Sequence, residues 1–128
     1  MKLRGFLINP WKKELAEVAV ERDIHAWHKL LHCDCLCAAR IGFCDDLSLD
    51  CWVDDNGLLQ EPPAPFFQVI TYPEPLCGYG LVLASDASGE SVSIPNVVLL
   101  ELFAIDLNLK FEQWEHRMEP IDYPEHMI

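Results

Sequence analysis

From Ile41 to Leu109 the chain contains no lysine, arginine or histidine. The same window carries Asp45, Asp46, Asp50, Asp54, Asp55, Glu61, Glu74, Asp86, Glu90, Glu101 and Asp106, so more than half of the 128 residues should project a negative potential. Nucleic-acid binding needs Lys or Arg to displace counterions from phosphates, and this window supplies neither. Direct contact with DNA or RNA is therefore not expected here. Over the whole chain 21 acids face 9 Lys and Arg, a net charge of −12, and a protein with a basic surface is the natural complement.

Long apolar runs are missing as well. No stretch of eighteen apolar residues occurs, and Pro10 interrupts MKLRGFLINPW before a signal-peptide hydrophobic region can develop. The expectation is a cytoplasmic protein that makes no membrane contact. Cysteine is not scarce: Cys33, Cys35, Cys37, Cys44, Cys51 and Cys77 are even in number. With no leader and an apolar fraction of 51%, enough for a core without staples, reduced thiols are expected rather than a disulfide framework.

The patterning predicts a single α+β domain over residues 1–128, with 108–128 as a C-terminal extension. Lys2 to Asn9 and Glu14 to Val20 read as a hairpin around Asn9-Pro10. Asp23 is a suitable N-cap for a helix over Ile24 to His32, where Ile24, Trp27, Leu30 and Leu31 recur at helical spacing. Leu36 to Phe43 and Leu47 to Val53 read as strands around Cys44-Asp45-Asp46, followed by a turn at Asp54-Asp55-Asn56-Gly57. The prolines of Glu61-Pro62-Pro63-Ala64-Pro65 should carry the chain across an edge or end of the sheet.

Phe66 to Thr71 is extended again, Leu81 to Ala84 has the continuous apolar character of a central strand, and Asp86-Ala87-Ser88-Gly89 turns into Ser91 to Ile94. Pro95 suits the first turn of a second helix over Asn96 to Leu107, with Val97, Leu100, Phe103, Ala104 and Leu107 as its inward stripe. The tail from Asn108 reads as a strand and a looser end. The fold expected is an antiparallel, strongly twisted sheet of about five to seven strands with two helices packed on it.

Three groups of residues bear on chemistry. Cys33, Cys35 and Cys37 follow His28 and His32, which could supply zinc ligands or a thiol and base pair, yet the spacing matches no common zinc site and no orienting third residue is identifiable. Small buried hydrophobes explain the same cysteines, and neither metal nor cofactor nor catalytic residue is expected. The loop from Tyr72 to Gly80 is the best ligand contact, because Gly78 and Gly80 permit close backbone approach and Tyr72 and Tyr79 offer flat faces to a base, with Arg40 for a phosphate. The same glycines would also suit a bulge. Asp45, Asp46, Asp50, Asp54 and Asp55 lack calcium-loop spacing and read as turn formers on an acidic, partner-binding face.

The run WVDDNGLL at 52–59, Phe66-Phe67, YPEPLCGYGLVL at 72–83 and GESV at 89–92 resembles a family of small domains of unknown function encoded in bacteriophages, conjugative elements and their bacterial hosts. The resemblance spans about residues 1–107 and rests on glycines, prolines and turn acids. It implies a fold and a mobile-element accessory protein, and by analogy a counter-defence inhibitor. Three functions follow. The first is a non-enzymatic acidic module that inhibits a host defence or nucleic-acid-handling protein. The second is a sponge for a nucleotide-like signal at a homo-oligomer interface, with phosphate held by Lys2, Arg4, Arg22, Lys29 or Arg40. The third is a structural protein with no ligand.

Overall fold

The computed structural model describes residues 2–56 and 64–112. Nine strands and two helices follow in the order β1 (Lys2–Asn9), β2 (Glu14–Glu21), α1 (Ile24–Leu31), β3 (Leu36–Cys44), β4 (Leu47–Asp54), β5 (Phe66–Gln68), β6 (Leu76–Cys77), β7 (Gly80–Ser85), β8 (Ser91–Val92), α2 (Leu100–Asp106) and β9 (Lys110–Glu112). All pairings are antiparallel. The large sheet has the order β2-β1-β7-β4-β3, with β8 continuing beside β7, and a small sheet has the order β6-β5-β9. This is the expected α+β architecture. Gly57, Leu58 and Leu59, the proline-bearing residues 61–63 and the tail from 113 onward lie outside the described residues.

Hairpins supply the local order. Asn9 Oδ1 accepts the amide protons of Trp11 and Lys12 at 3.1 and 3.2 Å, which closes the β1–β2 turn that Asn9-Pro10 signals. The β3–β4 turn places Asp45 in the left-handed region at φ 56°. Both turns fix their registers, Asn9 opposite Glu14 and Cys44 opposite Leu47. Strand β7, buried at all six positions, pairs with both hairpins, with Val82 opposite Phe6 on one side and Cys51 on the other. Its continuous hydrophobicity is what a strand covered on both faces requires.

Two cores result. On one face Phe6, Ile8, Ile41, Leu49, Cys51, Val82 and Ala84 pack with Phe67 and Val69 of the small-sheet segment and with Phe103 and Leu107 of the α2 segment. On the other, Leu3, Val20, Leu81 and Leu83 pack with Trp27 and Leu31 of α1. Asp23 Oδ1 accepts the His25 amide at 3.0 Å and caps α1, and Trp27 Nε1 donates to the Glu21 carbonyl at 2.7 Å, tying the helix to β2. The helix ends one residue earlier than expected, because His32 takes the left-handed C-cap conformation.

The second helix departs further from expectation: it begins at Leu100 rather than Asn96, with Leu99 at the N-cap and no side-chain cap. A residue ninety positions away in sequence braces the segment before it. Arg4 Nη1 donates to the carbonyls of Ile94 and Pro95 at 3.2 and 2.8 Å, and Nη2 to Val98 at 2.9 Å. The Pro95 carbonyl also accepts the Val98 amide at 3.0 Å, so a tight turn braced by the guanidinium precedes the helix. Glu17 holds Arg4 in turn, through Nε and Nη2 at 3.1 Å each.

Candidate functional site

The incomplete second helix leaves a groove. About 450 Å³ in volume, it is floored by Ile41, Gly42 and Leu49 and walled by Val97, Val98, Leu99, Leu102 and Leu107, with Thr71, Cys44 and Asp106 at its margins. Every described lining residue belongs to the cation-free window. Three wall residues are large and apolar yet face solvent: Val97 is 74% exposed, Leu102 52% and Leu99 50%. These exposed side chains make the groove the candidate interaction surface.

A bulge in β3 shapes the edge of the groove. Register slips between Arg40 and Gly42, so that Arg40 lies opposite Asp50 and Phe43 opposite Ser48. Simple alternation from Ala39 and Ile41 would bury Phe43, whereas the slip turns it out to 71% exposure beside Arg40, whose guanidinium lies 6.0 Å from the ring. Thr71 Oγ1 donates to the carbonyl of Ile41 at 2.7 Å and satisfies the backbone at the slip.

The acids divide into presented and consumed groups. Asp45 and Asp46, directly after Cys44, are exposed, as are Glu101 and Asp106 on α2. Asp50 leaves the partner-facing set: it is buried, accepts the Ser85 hydroxyl at 2.6 Å and pairs with Arg40 Nε at 3.3 Å. That carboxylate satisfies its own neighbours, as a buried charge must. Asp54 Oδ1 accepts the Asn56 amide at 2.9 Å, and the Asp55 amide donates to the Cys35 carbonyl at 2.9 Å, so these two shape the turn as expected.

The expected ligand loop does not converge on one point. Tyr72 packs against the core that contains Phe103, and Tyr79 against the core that contains Trp27. Arg40 is committed to Asp50 and Phe43 and lines a different pocket, with Asp46, Ser48 and Ser85. Gly78, at φ 78°, and Gly80 sit where the chain leaves the small sheet for the large one. A Cβ on Gly80 would come within 2.8 Å of both Cys51 Sγ and Phe67 Cζ, so its glycine serves core packing.

Tyr79 instead joins two residues that the sequence reading had not connected to it. Its ring centroid lies 4.8 Å from that of Trp11 and 5.3 Å from that of His32. Together with Leu31, Asp54 and Gly78 they line a pocket of about 430 Å³ on the α1 side. No local signal links a hairpin turn, a helix end and a β6–β7 connection.

The cysteines offer little chemistry. All six are free thiols; Cys51 and Cys77 are buried, whereas of the three cysteines expected in the core Cys33 is half-buried and Cys35 and Cys37, at the start of the edge strand β3, are exposed. Burial, then the nearby carboxylate of Asp54, pushes the Cys33 thiol up to about 11, and burial and the Asp55 carboxylate raise Cys37. Protonated thiols are poor nucleophiles and poor metal ligands. Among the described residues, no group of three or more His, Cys, Asp or Glu is arranged to hold a metal ion, and no helix is long and apolar enough to cross a membrane.

Comparison with protein-family models, curated proteins and solved structures finds no match to this chain.

Proposed function

We propose that the chain is a non-enzymatic binding module whose α2 groove takes an amphipathic, basic segment of a protein partner. The groove itself carries the reading: exposed Val97, Leu99 and Leu102 form its wall, and no cation lines it among the described residues. Apolar anchors of a partner would fill the groove as in helix-in-groove recognition. Lys and Arg flanking those anchors would meet Asp106, Glu101, Asp45 and Asp46, which adds specificity and speeds encounter more than it adds affinity.

The resemblance to phage and conjugative-element domains supplies the setting. A basic amphipathic segment of a host defence or nucleic-acid-handling protein, once seated in the groove, is no longer free for its own partner, and inhibition follows. The distribution of cations favours this module over a nucleotide sponge. Of the five cations that a sponge would use for phosphate, four are paired: Lys2 with Glu21, Arg4 with Glu17 and backbone carbonyls, Arg22 with Glu90 and Arg40 with Asp50.

Fluorescence anisotropy of a labelled Leu/Lys amphipathic helical peptide provides the test. Saturable binding is expected, weakened by salt and lost in Leu102→Asp, with a Leu/Glu peptide of the same pattern failing to bind. Equal binding of both peptides, or of the wild type and Leu102→Asp, contradicts the proposal.

A further inference from the structure

The pocket on the α1 side has a different chemistry from the groove. Trp11 comes from the β1–β2 turn, His32 from the end of α1, Tyr79 from the β6–β7 connection and Asp54 from the end of β4. We infer that this pocket binds an alkylated ammonium group.

Aromatic faces carry negative quadrupole potential, and rings gathered about one space attract a cation; quaternary ammonium ions are favoured because their weak hydration is cheaply removed. The Tyr79 ring lies 4.8 Å from that of Trp11 and 5.3 Å from that of His32, tilted by 40° and 41°, and all three line the same pocket. Leu31 adds an apolar surface suited to N-methyl groups, and Asp54 adds the formal negative charge. A nucleobase could also stack on these rings, but among the described residues its phosphate would find no Lys or Arg in the lining and would face Asp54.

Backbone contacts fix the segments that carry the rings. The Trp11 amide is bonded to Asn9 Oδ1 at 3.1 Å, and a Cβ on Gly78 would lie 3.9 Å from Trp11 Cη2. His32 is locked in its left-handed C-cap, with its amide bonded to the Lys29 carbonyl at 3.3 Å. Tyr79 also packs against the core of which Trp27 and Leu31 are part. Such a site spends little binding energy on ordering itself.

The test is an NMR titration of the full chain with choline and with 3,3-dimethylbutanol, its neutral isostere. Choline is expected to shift the Trp11 indole and Tyr79 ring signals saturably and to bind about tenfold more tightly than the alcohol, the scale of a cation–π preference. Asp54→Asn should narrow that ratio, and Trp11→Leu, at an exposed turn position, should abolish the shifts while leaving the remaining spectrum folded. The inference is overturned if choline gives no saturable shift, if the alcohol binds equally well, or if adenosine monophosphate displaces choline at lower concentration.

Discussion

The two faces of the large sheet are covered by helices of similar length, eight residues in α1 and seven in α2, but the helices close their faces to different extents. α1 is capped by Asp23, pinned through Trp27 to β2 and turned so that Trp27 and Leu31 are buried. α2 lacks a side-chain cap and buries Phe103, while Leu102 and Ile105 on the same short helix face solvent. A helix needs one apolar stripe to hold its place on a sheet. Apolar residues beyond that stripe remain available to another molecule, which is why we place the proposed protein-binding groove on the α2 side rather than the α1 side.

The contrast can be broken most forcefully within α2. Phe103→Ala removes a ring that packs 4.9 Å from Phe6, and should lower unfolding free energy by about 3–5 kcal/mol in denaturant titration. Its neighbour Leu102→Ala should change stability by no more than about 0.5 kcal/mol while weakening peptide binding. Similar stability losses for the two would show that both residues are structural.

Next in size is Arg4→Met, which leaves three carbonyls without their charged donor. A loss of about 2 kcal/mol is expected from thermal or denaturant unfolding, the scale of hydrogen bonds to a charged group. The amide spectrum should change from Ile94 through Val98, and a mutant spectrum unchanged there would show that Arg4 does not brace the segment before α2. On the opposite face, Asp23→Ala should cost about 1 kcal/mol by unfolding the first turn of α1, with the groove signals undisturbed.

The smallest effect concerns pH. Cys33 stays protonated in the folded chain up to about 11, whereas its unfolded value is near 9. The folded state therefore retains a proton that the unfolded state loses. This contribution to stability is complete below pH 9 and declines as pH rises from there through about 11. Unfolding measured across that range should show a decline that is reduced in Cys33→Ser, and identical slopes would exclude this thiol as a source.

The hairpins, α1 and the central strand were legible because each is specified by neighbours in sequence: Asn9 and Pro10 at one turn, Cys44-Asp45-Asp46 at another, Asp23 before an amphipathic run, and continuous apolar character from Leu81 to Ala84. The groove was not. Its shape depends on Arg4 capturing carbonyls at Ile94, Pro95 and Val98, and on a register slip at Arg40 that reverses Phe43; neither leaves a local pattern. One clue was present between Asn96 and Leu107, where Val98, Leu99, Leu102 and Ile105 supply more apolar positions than one stripe can bury. Of the small sheet, β5 and β9 fall in the segments read as extended at Phe66 to Thr71 and after Asn108, while β6, with two residues, is too short for alternation to register. Of the expected site, Tyr79 and Gly78 share a pocket, while Tyr72, Gly80 and Arg40 belong to other neighbourhoods.

Amide chemical-shift mapping with the Leu/Lys peptide tests the division between the two faces most directly. Saturating shifts should concentrate at Val97, Leu99, Leu102 and Asp106, extend to Phe43 at the strand edge, and leave Trp27, Leu31 and Tyr79 unmoved. Shifts centred on the α1 face, with the α2 groove silent, would contradict the assignment of the groove as the protein-binding site.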